Sequence, residues 1–277
     1  MTPARYDGHA DWYDAWAQAA GGAFMAAARS ALEDLVPDGS GAALDVGCGT
    51  GLHVDVVRGR GYDVLGADDS ADQLRLAHAR LPVLRADARA LPFPDRSFQL
   101  VYSMLTHTDL GGFDRLVSEA LRVLVPGGVV VYVGVHPCLV GPFVQRKVDA
   151  VRLRPGYRDQ GRWQPALSVS GDVRDRVGTH HLTLESLLTA LVRPVPGWRL
   201  SSSVVTGRCP RFSPSGWPVA GRPPRGPCGH RKRLSRVIRK SDDRLSRREH
   251  HGCRDGDVAC GGLDGRRHRS PPRRSRT

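Results

Sequence analysis

The residues best suited to chemistry lie in "LDVGCGTG", Leu44 to Gly51, where Gly47, Gly49 and Gly51 alternate behind Asp45, with Cys48 inside the loop. Side chains at the three glycine positions would block a ligand's close approach to the backbone, and some of these positions require positive φ. Asp45 beside the loop would repel a pyrophosphate; it suits a ligand carrying an ammonium group, or one held through water. Leu52 stands where GxGxxG counted from Gly47 needs its last glycine, so the dinucleotide fingerprint fails. Asp68 follows Asp45 by 23 residues, where a carboxylate commonly accepts hydrogen bonds from a ribose diol. Asp87 followed by Ala88 sets a side-chain acceptor beside a backbone N–H, which matches an adenine amino group and ring nitrogen. Taken singly, each aspartate is as well explained as a helix cap or turn former. Three of them together with the glycine loop read as one ligand crevice.

Four histidines are candidates for moving a proton: His107 in "MLTHTDL", His136 in "GVHPC", and the pair His180 and His181. His107 is the first choice as general base and His136 the second, because each follows an apolar run that ends at the same sheet edge. A histidine that fixes a loop by hydrogen bonding is the competing account of each. Cys138 has no evident partner and reads as a small buried apolar group. The six cysteines form no CxxC pair, so neither a zinc site nor a disulfide framework is expected, and no metal.

These residues need elements to position them. "AALDVG" (42–47) is a short apolar run ending in glycine, the mark of a buried parallel strand, and "HVDVVRGRG" follows with helical spacing and a glycine stop. "YDVLGAD" (62–68) is a second strand; "SADQLRLAHARL" then has Ser70 as cap and Leu74, Ala77 and Leu81 on one face. "PVLRAD" (82–87) and "FQLVYSM" (98–104) are the third and fourth strands, "FDRLVSEALRVL" (113–124) an amphipathic helix closed by "VPGG", and "VVVYVGV" (129–135) a fifth strand. Strands alternating with helices at this spacing predict a doubly wound, Rossmann-like parallel α/β sheet. "LTLESLLTALV" (182–192) is a further helix with Thr183 as cap, and "GWRLSSSVV" (197–205) a further strand with no convincing partner after it.

The formal net charge of +13 hides a division. Residues 1–192 hold 19 basic and 22 acidic side chains, and residues 193–277 hold 22 and 6. That second part also carries Cys209, Cys228, Cys253 and Cys260 and lacks an apolar period, as disordered segments do. It reads either as a basic RNA-docking tail, or as the product of a frame change near residues 190–205 in a GC-rich gene. An RNA tail has no need of the four cysteines or of the tryptophan in "SPSGWPVAG", which favours the frame change. The longest apolar run, Val129 to Val135, is far short of the roughly 20 residues of a membrane span, and the N-terminus lacks a secretory apolar stretch. A soluble, cytoplasmic protein without membrane contact is expected.

"ALDVGCGTG", "VLGADDSADQL", "RADARALPFPDRSFQLVYS" and "EALRVLVPGG" stand in the order and spacing of the class I S-adenosylmethionine-dependent methyltransferases, and the chain most resembles their type 11 domain over about residues 40–135. The resemblance implies a seven-stranded sheet with S-adenosylmethionine across its first strands. It implies that the loop Asp45 to Gly51 holds the methionine part, Asp68 the ribose hydroxyls, and Asp87 with Ala88 the adenine. Asp69 replaces the usual aliphatic residue beside the adenine, and Gln99 the usual aspartate. The resemblance also implies that the N-terminal segment with Tyr6, Trp12, Tyr13 and Trp16 covers the cofactor; a helix packed on the sheet explains Trp12 and Trp16 as well. Acceptor-binding elements are expected near 140–166, where Tyr157 and Trp163 either stack on the acceptor or anchor a loop.

The expected organisation is a helical cap (1–40), a methyltransferase domain (41–192) and a basic tail (193–277), with an incomplete or altered C-terminal hairpin. The expected activity is methyl transfer to a small organic acceptor. The alternatives are an RNA or protein methyltransferase that docks through the tail, and a module that binds the cofactor without turnover. Sulfonium methyl transfer asks chiefly for alignment and exclusion of water, with a base where the acceptor must lose a proton.

Overall fold

The computed structural model describes residues 4–146, 151–163, 173–192, 198–201 and 236–240. The chain separates into two units, Met1–Asp243 and Arg244–Thr277. The second unit, and the expected disorder of the tail apart from 236–240, lie outside the described residues.

The elements in chain order are α1 (Ala10–Gln18), α2 (Gly22–Leu35), β1 (Gly41–Val46), α3 (Val54–Arg58), β2 (Tyr62–Asp68), α4 (Ala71–Ala77), β3 (Val83–Arg85), β4 (Phe98–Met104), α5 (Phe113–Val123), β5 (Leu124–Val133), β6 (Val144–Arg146), β7 (Val151–Leu153), β8 (Gly161–Trp163), α6 (Val173–Val177), β9 (Thr179–His181), α7 (Leu184–Val192), β10 (Trp198–Ser201) and β11 (Arg236–Lys240). One sheet runs in the order β10-β11-β5-β4-β1-β2-β3. Strands β1 to β5 pair in parallel, and β11 is antiparallel to both β5 and β10. Two small antiparallel pairs, β6-β7 and β8-β9, stand apart from it.

Two-residue periodicity sends alternate side chains of each central strand to opposite faces, which is why these strands read as unbroken apolar runs. Ala43, Leu100, Tyr102, Val129 and Val131 pack with Leu32, Leu35 and Val57 of α2 and α3. Leu44, Val101, Val130 and Tyr132 pack on the other face with Phe113, Leu116 and Val117 of α5 and Leu187 and Leu191 of α7. Ser70 caps α4, its hydroxyl accepting from Gln73 N at 3.2 Å, and Thr183 caps α7, accepting from Ser186 N at 3.1 Å.

Two sequence expectations change, and the place of Gln99 is defined. The "VPGG" segment lies inside β5, where the register slips between Phe98 and Leu100. A Cβ on Gly128 would lie 2.9 Å from the Gln99 carbonyl, so the strands can close only over glycine. The second change concerns the partner of β10, which is Arg236–Lys240, inserted between β10 and β5. The C-terminal hairpin, expected to be incomplete or altered, has both its strands in the sheet. Finally, Gln99 sits at the sheet edge remote from the glycine loop, against Gly41 at the start of β1. Its departure from the usual aspartate therefore falls at the start of β1 and β4. No helix among the described residues is long and apolar enough to cross a membrane.

Candidate active site

The chain leaves β1 through a loop in which Gly47, Gly49 and Gly51 all have positive φ, at 72°, 55° and 76°. A Cβ on Gly47 would lie 2.3 Å from Thr106 Cγ2, so here glycine serves both the backbone conformation and close approach to the end of β4. The loop is tied to β2: Gly47 N and Cys48 N donate to the Ala67 carbonyl at 2.8 and 3.1 Å. Asp68 completes the tie, Oδ2 accepting from Gly49 N and Oδ1 from Ser70 N, both at 2.9 Å. Its carboxyl is pushed up to about 6, burial outweighing those two donors.

A cavity of about 760 Å³ opens over this edge. Of the residues expected to bind a cofactor, Gly47, Gly49, Asp68, Asp69, Asp87 and Ala88 line it. Asp45, Cys48 and Gly51 do not. Asp45 is 5% exposed, between Gly66 and Tyr102 in the strand register. Burial, with the charge of Asp68 added, pushes its carboxyl up to about 7. Cys48 packs against Gly66, and burial pushes its thiol well up. Asp87 does face the cavity but is engaged: Arg89 grips it through N, Nε and Nη2 at 2.8 to 3.2 Å. A new donor at Asp87 must displace part of that grip.

The two candidate bases separate. His107 is 1% exposed and does not line the cavity. Its Nδ1 pairs with the Tyr132 hydroxyl, and Phe113 packs edge-on against the ring. Burial first, and then Arg174, His181 and His180, push it down to about 3, so it stays neutral. The short 3₁₀ turn Thr106–Thr108 rotates His107 inward, which the spacing alone could not reveal. His136 lines the cavity, and its Nδ1 accepts from Cys138 N at 3.3 Å. That bond leaves the proton of the neutral ring on Nε2, making His136 a donor.

The N-terminal helices form one wall. Tyr6, Tyr13 and Trp16 line the cavity, whereas Trp12 stacks on Trp16 and carries Arg176 over its ring at 4.2 Å. Helix α4 holds this wall down. Asp72 Oδ2 accepts from Gly8 N and Ala10 N at 3.0 and 3.2 Å, and the Ser70 hydroxyl donates to Asp7 at 2.7 Å. Of the 140–166 segment, Val140 reaches the cavity. Tyr157 instead packs on Phe143 and His181, and its hydroxyl accepts from Leu184 N at 2.6 Å, so it anchors the segment to α7. The side chain of Trp163 lies outside the described residues. His181 is buried with Nε2 at the Tyr157 carbonyl, 2.7 Å away, and His180 sits beside Gly111.

Sequence reasoning missed several contributors. Gln73 presents Oε1 at the cavity wall, buried and without a hydrogen-bond partner among the described residues. Leu105, at the end of β4, holds φ at 63°, an unusual backbone for a branched residue and one that marks a constrained site. Asp109 and Arg174 form an ion pair at 2.5 Å on the cavity's far side. Only Asp109 carried a signal, as an acid just past the fourth strand.

Residues 44–132 match the family model of the methyltransferase domain, type 11. A demethylmenaquinone methyltransferase of Renibacterium salmoninarum is 34% identical over 117 residues, 39% of this chain and 49% of that one. A malonyl-[acyl-carrier protein] O-methyltransferase of Buchnera aphidicola is 37% identical over 92 residues, 32% of this chain and 37% of that one. The chain thus spans about half, or less, of the length of these curated relatives. A crystal structure of an S-adenosylmethionine-dependent methyltransferase from Mesorhizobium loti superposes with a TM-score of 0.54 at 23% identity, over 76% of this chain and 96% of that one, and so shares the fold. By motif, sheet order and family match, residues 44–132 are similar to the type 11 methyltransferase domain.

Proposed function

We propose that the chain transfers a methyl group from S-adenosylmethionine to a small organic acceptor. What carries the reading is a single cavity joining the glycine loop and Asp68 to His136, Asp109 and Arg174 beyond β4 and β5. A cofactor and an acceptor can therefore share one enclosure. Its volume of about 760 Å³ lies within the roughly 300–1,000 Å³ of ligand sites.

The residues fit the cofactor. The Gln73 Oε1 atom is, among the described residues, an orphaned buried acceptor at the loop, suited to an ammonium or hydroxyl donor. Two backbone donors occupy Asp68, and a carboxylate has about four acceptor positions, so two remain for a diol. Ala88 with Asp87 suits the adenine once Arg89 yields. Asp45 does not line the cavity; its charge and that of Asp68 favour a cation at the loop. The cofactor supplies an electrophilic methyl on a sulfonium. The chain aligns and encloses: Tyr13 and Trp16 exclude water, and His136 Nε2–H orients an acceptor oxygen. In this reading residues 1–40 are the cover and residues 41–192 carry the reaction.

The test is release of S-adenosylhomocysteine with labelled methyl in product, across a panel of quinols, phenols and carboxylic acids. Cofactor binding without product from any acceptor class would make the chain a binding module instead.

A further inference from the structure

The end of the cavity beyond β4 carries an unbalanced positive charge. Arg5 lines it, just ahead of α1, and is half-buried. Among the described residues its one hydrogen-bond contact is from Nη1 to the Thr108 carbonyl at 3.5 Å, at the limit of a useful bond. The neighbouring carboxylate is Asp109, which is already committed. Arg174 binds it at 2.5 Å, and the Tyr6 and Thr108 hydroxyls donate to it at 3.3 Å each. Two guanidinium groups thus face the cavity here for one carboxylate. Burial lowers Arg5 from its ordinary range, Asp109 opposes this, and Arg162 and Arg174 add to the lowering. A half-buried, weakly bonded arginine among like charges favours an incoming anion.

The cavity also offers apolar surface. Phe24 and Leu139, at 42% and 44% exposure, are large side chains left open, and both line the cavity along with Trp16. Exposed apolar groups that converge on one cavity mark a surface kept for a ligand.

We propose that Arg5 anchors a carboxylate on the acceptor, and hence that the acceptor is an amphipathic acid, with one anionic group on an apolar body. A monoanion matches the surplus of one charge; a phosphate dianion would exceed it. The inference rests on the methyltransferase reading and deepens it by naming the acceptor class. Two carboxylates could meet Arg5, the acceptor's and the cofactor's own, and the test separates them.

The full chain, saturated with S-adenosylhomocysteine, is titrated by calorimetry with octanoate and with 1-octanol. The expected result is that octanoate binds at least tenfold more tightly than octanol, that Arg5→Ala abolishes the preference while leaving S-adenosylhomocysteine affinity within twofold, and that Arg5→Lys retains part of it. Circular dichroism verifies that both variants are folded. Equal binding of octanoate and octanol to the saturated wild-type chain would overturn the anchor and leave the methyltransferase reading standing. A preference that survives Arg5→Ala, with S-adenosylhomocysteine affinity falling instead, would assign Arg5 to the cofactor's carboxylate and overturn the proposal. Failure of S-adenosylhomocysteine to bind the wild-type chain would remove both readings.

Discussion

Arg80 grips Asp14 of α1 with Nη1 and Nη2 at 2.8 and 2.9 Å, and the same Nη1 reaches the Thr50 carbonyl of the glycine loop at 2.6 Å. One guanidinium therefore ties the wall of the cavity to its floor. Both partners are mostly shielded from solvent, which keeps this pair from being an ordinary screened surface bridge.

Arg80→Ala is expected to loosen the wall without touching the cavity. S-adenosylhomocysteine affinity should fall about three- to tenfold, on the order of 1 kcal/mol, while the melting temperature shifts only slightly. Calorimetry on the variant checks this, and proteolysis should cut ahead of α2 before it cuts the sheet.

The buried acids give a pH dependence with a definite sign. Asp45 and Asp68 titrate at about 7 and about 6 in the folded chain, above the ordinary 3.8. The folded state thus holds their protons more tightly than the unfolded state does. The stability they contribute is full below about pH 4 and is lost as pH rises through 6 and 7. His107 works the other way: at about 3 against an ordinary 6.5, its contribution is present above pH 6.5 and lost as pH falls. The Asp45→Asn variant isolates the first effect. Its melting temperature should exceed the wild type's by several degrees at pH 8 and match it at pH 4. Cofactor affinity should move oppositely, weakening in the wild type from pH 8 to pH 5 as the carboxylates protonate.

The two histidines should respond differently to replacement. His107→Ala removes a buried ring and strands the Tyr132 hydroxyl, so a loss of about 2–4 kcal/mol of stability is expected, with cofactor affinity kept. His136→Ala should leave the melting temperature nearly unchanged and lower turnover at least tenfold once an acceptor is found. Equal effects on stability from both would remove His136 from the site.

A methyl group at Gly47 tests the floor. Gly47→Ala imposes a left-handed backbone on alanine and drives its Cβ toward Thr106. Cofactor binding should be lost. Thr106→Ser should restore part of it in the double variant by removing the clashing methyl.

Much of this was legible because apolar runs ending in glycine or aspartate have few alternatives. Strands β2 and β4 fall where their patterns put them, and the crevice at Gly47, Asp68 and Asp87 lies where three strands end together. A strand's pattern does not say which acids look outward, and Asp45 turned into the core beside Tyr102. Nor does it say how a short turn rotates, and His107 turned inward. The pairing of Arg236–Lys240 with β5 escaped because five residues flanked by charge carry no period of their own. Arg5 and Arg174 escaped for a different reason: the fold brings them to Asp109 from opposite ends of the domain, and no local spacing records that.

The most direct test of the account is the affinity of the full chain for S-adenosylhomocysteine, with and without the Asp68 carboxylate. A wild-type chain that binds one equivalent, and an Asp68→Ala variant that is folded but about tenfold or more weaker, about 1.5–3 kcal/mol for a charge-assisted pair, is the predicted result. Absence of binding in the folded wild-type chain, or equal binding by the two, would contradict it.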